Sequence, residues 1–103
     1  MKIAFLAVFA ALVFNSVPAL ASLELAAKNN CTGCHAPARK ILGPAYADVA
    51  KKYAGQKDAV AMLAESIRKG GVGKWGPVPM PAQAALNDAE LQALSAWILA
   101  GAK

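Results

Sequence analysis

One histidine and two cysteines are all that 103 residues contain, and the three fall together between positions 31 and 35. That scarcity excludes several chemistries. A structural zinc site needs roughly four ligands in spaced groups, and no second Cys or His cluster exists to complete one. A thioredoxin-like redox pair belongs to a βαβ pattern, and no such pattern is visible. Two histidines on one metal are impossible. Charge is unevenly spread in sign but not in space: 11 Lys+Arg stand against 6 Asp+Glu, net +5. The lysines are scattered, with neither an arginine-rich run nor interleaved aromatics. Nucleic acid is therefore not an expected partner, and a mildly basic face that steers an acidic protein is the better reading. Repeats, linkers and low-complexity tracts are absent too.

What is present is Cys31-Thr32-Gly33-Cys34-His35, the C-x-x-C-H string that attaches a c-type haem. Two thiols three residues apart lie on one face of a helical turn, within reach of the two vinyl groups of one porphyrin. Each adds across a vinyl to form a thioether. The histidine that follows is carried beneath the iron as proximal ligand.

The first 21 residues read as a cleaved signal peptide rather than as part of the fold. Lys2 supplies a positive n-region, residues 3–14 an apolar h-region, and Ala19-Leu20-Ala21 an A-x-A cleavage site. An apolar run of twelve is short for a membrane span of about 20 residues. Stable membrane insertion after cleavage is not expected, and the product is exported to the periplasm. Residues 22–103 then form one domain, with ten Lys+Arg against six Asp+Glu once Lys2 has left, hence +4. A core this small gains little stability unless something reinforces it. Disulfides are excluded if both thiols are spent on vinyls, whereas a buried haem would supply much of the missing apolar core.

Apolar periodicity marks helices and nothing else convincingly. Ser22 can cap a first helix with Leu23, Ala26 and Ala27 on one face. A second spans about Tyr46 to Tyr53, ended by Gly55. Asp58 is placed to cap a third, with Val60, Leu63, Ala64 and Ile67 at core spacing, stopped by Gly70-Gly71. Residues 70–81 are too rich in Gly and Pro for helix or strand. Asn87 with Glu90 starts the last helix as a capping box, Leu91, Leu94, Trp97 and Ile98 form its apolar stripe, and Gly101 ends it. The first and last helices are expected to pack on each other.

The distal iron position needs a second ligand. Met62 lies one residue before Leu63, about 100° from that core position, and reads as a surface residue. Met80 sits between Pro79 and Pro81, whose rings restrict the backbone and present the side chain rigidly. The alternative is a Met filling a core gap. Ligation is favoured, because a His/Met pair is a low-spin electron-transfer set. Six-coordinate iron leaves no open position for substrate, which argues for a carrier and against an enzyme. Two further strings are decoys. Gly71-x-Gly73-x-x-Gly76 follows a helix and opens none, so the dinucleotide-binding context fails, and Asn30-Cys31-Thr32 overlaps the haem motif.

Leu42-Gly43-Pro44-Ala45-Tyr46, the run Gly73-Lys74-Trp75-Gly76-Pro77-Val78-Pro79-Met80-Pro81 and Ala96-Trp97-Ile98 resemble class I cytochrome c, specifically its short, soluble, monohaem bacterial (c-551-like) subtype. The resemblance covers essentially all of residues 22–103 and implies an all-α fold, four to five short helices around one covalently bound haem. It implies that the Pro44 carbonyl accepts from Nδ1 of His35, and that Trp75 donates its indole N–H to a haem propionate, with simple packing the alternative. Gln83 stands where this subtype often carries Asn near the Met ligand. Lys28, Lys40 and Lys74 are candidates for a docking ring around the haem edge, an ordinary solvated surface being an equal account of each. The implied protein is a monomeric periplasmic electron carrier. A quinol-oxidising complex lies upstream, and a nitrite reductase, terminal oxidase or peroxidase downstream. The rival is a five-coordinate haem c gas sensor or peroxidase-like enzyme in which Met80 is not a ligand.

Overall fold

The computed structural model describes residues 23–103. The expected signal peptide and the Ser22 cap lie outside the described residues. Four α-helices follow in order, α1 (Leu23–Lys28), α2 (Tyr46–Tyr53), α3 (Ala59–Lys69) and α4 (Asp88–Leu99), with a 3-10 turn over Cys31–Gly33 after α1. Among the described residues there is no strand, only the isolated bridges His35–Lys40 and Gly71–Met80. None of the described helices is long and apolar enough to cross a membrane.

α4 is the best-specified helix. The Asn87 side chain accepts from the Glu90 N–H at 2.8 Å, and Glu90 accepts from the Asn87 N–H at 3.2 Å, which closes the predicted capping box. At the other end Ala102 N–H donates to Trp97 O and Gly101 N–H to Ile98 O, both at 3.0 Å. These are the two bonds of a Schellman motif, with Gly101 at φ 102° as the left-handed residue. Asp58 stands at the N-cap of α3 as predicted, yet its carboxylate makes no cap bond. The expected α3 stripe holds: Leu63 and Ile67 are buried, whereas Met62 is 43% exposed.

α1 departs from expectation. Leu25 and Ala26 are buried while Leu23 is 49% exposed. Six residues make less than two turns, so periodicity cannot choose a face. The junction with the 3-10 turn chooses it, where the Asn29 amide donates to Leu25 O at 2.9 Å. α4 packs mainly on α3 and then on α2. α1 enters the same core through Leu25 and Ala26, in one cluster with Leu91, Leu94, Trp97 and Ile98 of α4.

Three helices supply the walls around the site. Tyr46, Val49 and Tyr53 form one buried stripe along α2, at i, i+3 and i+7. Leu63 and Ile67 of α3 and Leu91, Leu94, Trp97 and Ile98 of α4 complete the core.

Candidate haem site

The 3-10 turn eclipses side chains three residues apart, which brings Cys31 and Cys34 to one side. Asn30 enters it at φ 62°, and His35 N–H closes it on Cys31 O at 2.8 Å. Both thiols are free. Burial raises the Cys31 thiol pKa, partly offset by a backbone hydrogen bond.

From there the chain folds back on itself. Gly43 N–H donates to Cys34 O at 2.8 Å, and Tyr46 N–H to Ala36 O at 3.0 Å. This return delivers the Pro44 carbonyl to 2.7 Å from Nδ1 of His35. A carbonyl can only accept, so Nδ1 carries the proton and Nε2 offers its lone pair. The Tyr46 ring stacks on the imidazole with centroids 5.5 Å apart, and Trp97 meets Tyr46 edge-on at 5.3 Å. A Cβ at position 43 would lie 2.5 Å from Cε1 of His35, so only glycine lets the backbone pass.

Met80 is held from the other segment. Its N–H donates to Gly71 O at 2.8 Å and its carbonyl accepts from Gly71 N–H at 3.0 Å. Gly70, at φ 65°, brings its Cα so close that a Cβ would strike the Met80 carbonyl. Residues 70–71, read from sequence only as a helix stop, therefore also grip Met80. Gln83 is anchored by its N–H to Ile67 O at 3.2 Å. Its side-chain amide donates to Pro81 O at 3.2 Å, not to the Met80 sulfur.

All six predicted site residues, Cys31, Cys34, His35, Pro44, Trp75 and Met80, line one cleft of about 660 Å³. Its remaining walls are the inward stripes of α2, α3 and α4. Sequence reasoning missed two contributors. The Tyr46 hydroxyl is buried with no hydrogen-bond partner, and burial, with the nearby Cys31 thiol, pushes its pKa up to about 12. Lys74 does not sit free for docking: its ammonium donates to Tyr53 OH at 3.1 Å and to Ser66 Oγ at 3.5 Å. Lys28, Lys40 and Lys74 are all exposed. Trp75, 39% exposed, carries the Lys52 ammonium over its ring at 4.5 Å.

The cytochrome c family matches residues 23–102. The chain belongs to that family. Cytochrome c-552 of Hydrogenobacter thermophilus is 57% identical over 79 residues, covering 77% of this chain and 80% of that one. Cytochrome c-552 of Nitrosomonas europaea is 45% identical over 100 residues, 96% of this chain and 97% of that one. The crystal structure of the wild-type Nitrosomonas europaea protein superposes with a TM-score of 0.75, covering 78% of this chain and 99% of that structure. As a cytochrome c, the protein carries one covalently attached haem c, and its role is electron transfer.

The residues present fit that group. Two free thiols, an imidazole with its outer nitrogen already engaged, a thioether and a largely apolar cleft suit a flat apolar macrocycle with a central metal.

Proposed function

We propose that this cytochrome c is a periplasmic one-electron carrier. Residues 22–103 work as a monomer after loss of a signal peptide at 1–21. Cys31 and Cys34 would form the thioethers, and His35 and Met80 would hold the iron. The observation that carries the reading is the convergence on a single cleft of the CxxCH segment and a Met80 whose backbone is bonded at both its N–H and its carbonyl. The haem, when bound, supplies reversible one-electron chemistry at iron.

The chain's own residues hold that chemistry steady. The Pro44 carbonyl keeps the proton on Nδ1, which orients Nε2 toward the iron and strengthens its donation. The Gly71 bridge fixes the backbone of the loop that bears Met80, which would hold its thioether ready for the iron. Trp75 and the apolar stripes limit water around the macrocycle, and the Trp75 indole N–H is available to a propionate. With His35 and Met80 both holding the iron, no position would be left for substrate, which separates this reading from a gas sensor or peroxidase-like enzyme. The donor is a quinol-oxidising complex, and the acceptor a nitrite reductase, terminal oxidase or peroxidase, met through the exposed haem edge.

Replacing Met80 tests the assignment. The parent ferric protein should show the weak near-infrared sulfur-to-iron band. Met80→Ala should abolish the band, lower the reduction potential sharply and let the ferrous form bind carbon monoxide. Rapid carbon monoxide binding by the parent protein would sink the carrier reading.

A further inference from the structure

Among the described residues, Lys74 is the only permanently charged side chain that lines the cleft. Three contacts hold it there. Its ammonium reaches Tyr53 OH at 3.1 Å and Ser66 Oγ at 3.5 Å, and its backbone carbonyl accepts from Lys52 Nζ at 3.3 Å. α2 measures the distance from this cation to the thiol end. Tyr46 stacks on His35, and Tyr53 lies seven residues further on, roughly 10 Å along the helix axis at 1.5 Å per residue. Tyr46, Val49 and Tyr53 all face the cleft, so α2 forms a wall that runs from the imidazole to the ammonium.

A haem is apolar except for two carboxylates, which it carries on the edge away from its vinyls. Thioethers at Cys31 and Cys34 fix the vinyl edge and so direct the carboxylates toward the far end of the cleft. A carboxylate taken out of water needs a paired cation or several donors. We infer that Lys74, positioned by Tyr53 and Ser66, is the cation that binds a haem propionate. The inference rests on the thioether assignment made above.

The surroundings are suited to a fixed cation. Burial would raise the Tyr53 phenol pKa, but hydrogen bonds from Ser66 and Lys74, together with the charges of Lys74 and Lys52, outweigh it and lower the pKa overall. Glu65, next to Ser66 on α3, is already paired with Arg68 and Lys69, and among the described residues no ion pair joins Lys74 to a carboxylate. The remaining nearby cation, Lys52, lies over the Trp75 ring.

The test is the reduction potential of the isolated holoprotein, with no partner, measured against pH. An ionised propionate held by Lys74 gives a step in that curve at its apparent pKa. Lys74→Gln should raise the propionate's proton affinity by about tenfold or more, which moves the step to higher pH, and should lower the plateau potential because a cation near the iron has gone. Lys74→Arg should keep the step in place. Tyr53→Phe, which removes only the clamp, should move it part of the way. An unmoved step in Lys74→Gln, or a shift of equal size in Lys74→Arg, would overturn the inference. The sulfur-to-iron band is read on the same samples. Its absence in the parent would count against the axial ligands, whereas an intact band with an unmoved step would count against Lys74 alone.

Discussion

At position 43 the absence of a side chain is a structural requirement. A methyl there would sit 2.5 Å from Cε1 and 2.9 Å from Nδ1 of His35. The ring has little room to yield, because the Pro44 carbonyl holds its edge at 2.7 Å and Tyr46 stacks on it. Replacing Gly by Ala commonly stabilises a chain by about 0.4–1 kcal/mol through the unfolded state. The overlap with His35 opposes that gain, and its cost falls among the larger single-substitution effects, about 1–3 kcal/mol. Gly43→Ala should therefore lower the holoprotein's denaturant midpoint and disturb the proximal histidine signals in paramagnetic NMR. A midpoint at or above the parent's would show that the ring moves aside without cost. Gly70 obeys the same logic against the Met80 carbonyl, so each of the two proposed axial ligands is approached by a glycine that cannot be enlarged.

The helices α3 and α4 both follow a residue suited to the N-cap, Asp58 and Asn87, and end up stabilised differently. Asn87 has Glu90 three positions later and makes both capping-box bonds. Asp58 has Ala61 at the corresponding position and makes no side-chain cap bond. Asn87→Ala should cost about 1 kcal/mol, whereas Asp58→Ala should stay within about 0.5 kcal/mol, as exposed changes that remove no contact do. Thermal unfolding of the two variants side by side checks this, and equal losses would contradict it. The contrast also shows what could be read from the chain alone. α4 was legible because its signals are local: a reciprocal cap, a four-residue apolar stripe and a glycine stop. The face of α1 was not, because six residues give no second turn to set a period. The grip of Gly71 on Met80 is made by backbone atoms and leaves no mark on side-chain pattern. Tyr53 and Ser66, which draw Lys74 into the cleft, lie 21 and 8 residues from it in sequence, beyond any periodicity. The candidate site itself was legible, since Cys31, Cys34, His35 and the proline-flanked Met80 advertise their chemistry by residue type.

Among the described residues, most of the core also lines the cleft. Tyr46, Val49, Tyr53, Leu63, Ile67, Leu94 and Ile98 belong to the single hydrophobic cluster, and the same seven line the cleft. The helices they sit on have 8, 11 and 12 residues, shorter than or at the edge of the roughly 12–15 residues at which isolated helices become marginally stable in water. Their persistence depends on packing, and one side of that packing is the face turned to the cofactor. Filling a cleft of about 660 Å³ with an apolar macrocycle buries that face. Leaving it without the macrocycle forfeits contacts on the inner side of all three helices, where truncating even one buried Leu costs about 2–5 kcal/mol. A domain of this size has only about 5–15 kcal/mol to lose. The haem-free double variant Cys31→Ala/Cys34→Ala should therefore lack a cooperative unfolding transition in far-UV circular dichroism, while the holoprotein unfolds in one sharp step. A haem-free protein with a sigmoidal transition and the holoprotein's denaturant dependence would show that α2, α3 and α4 can close on one another without the cofactor between them.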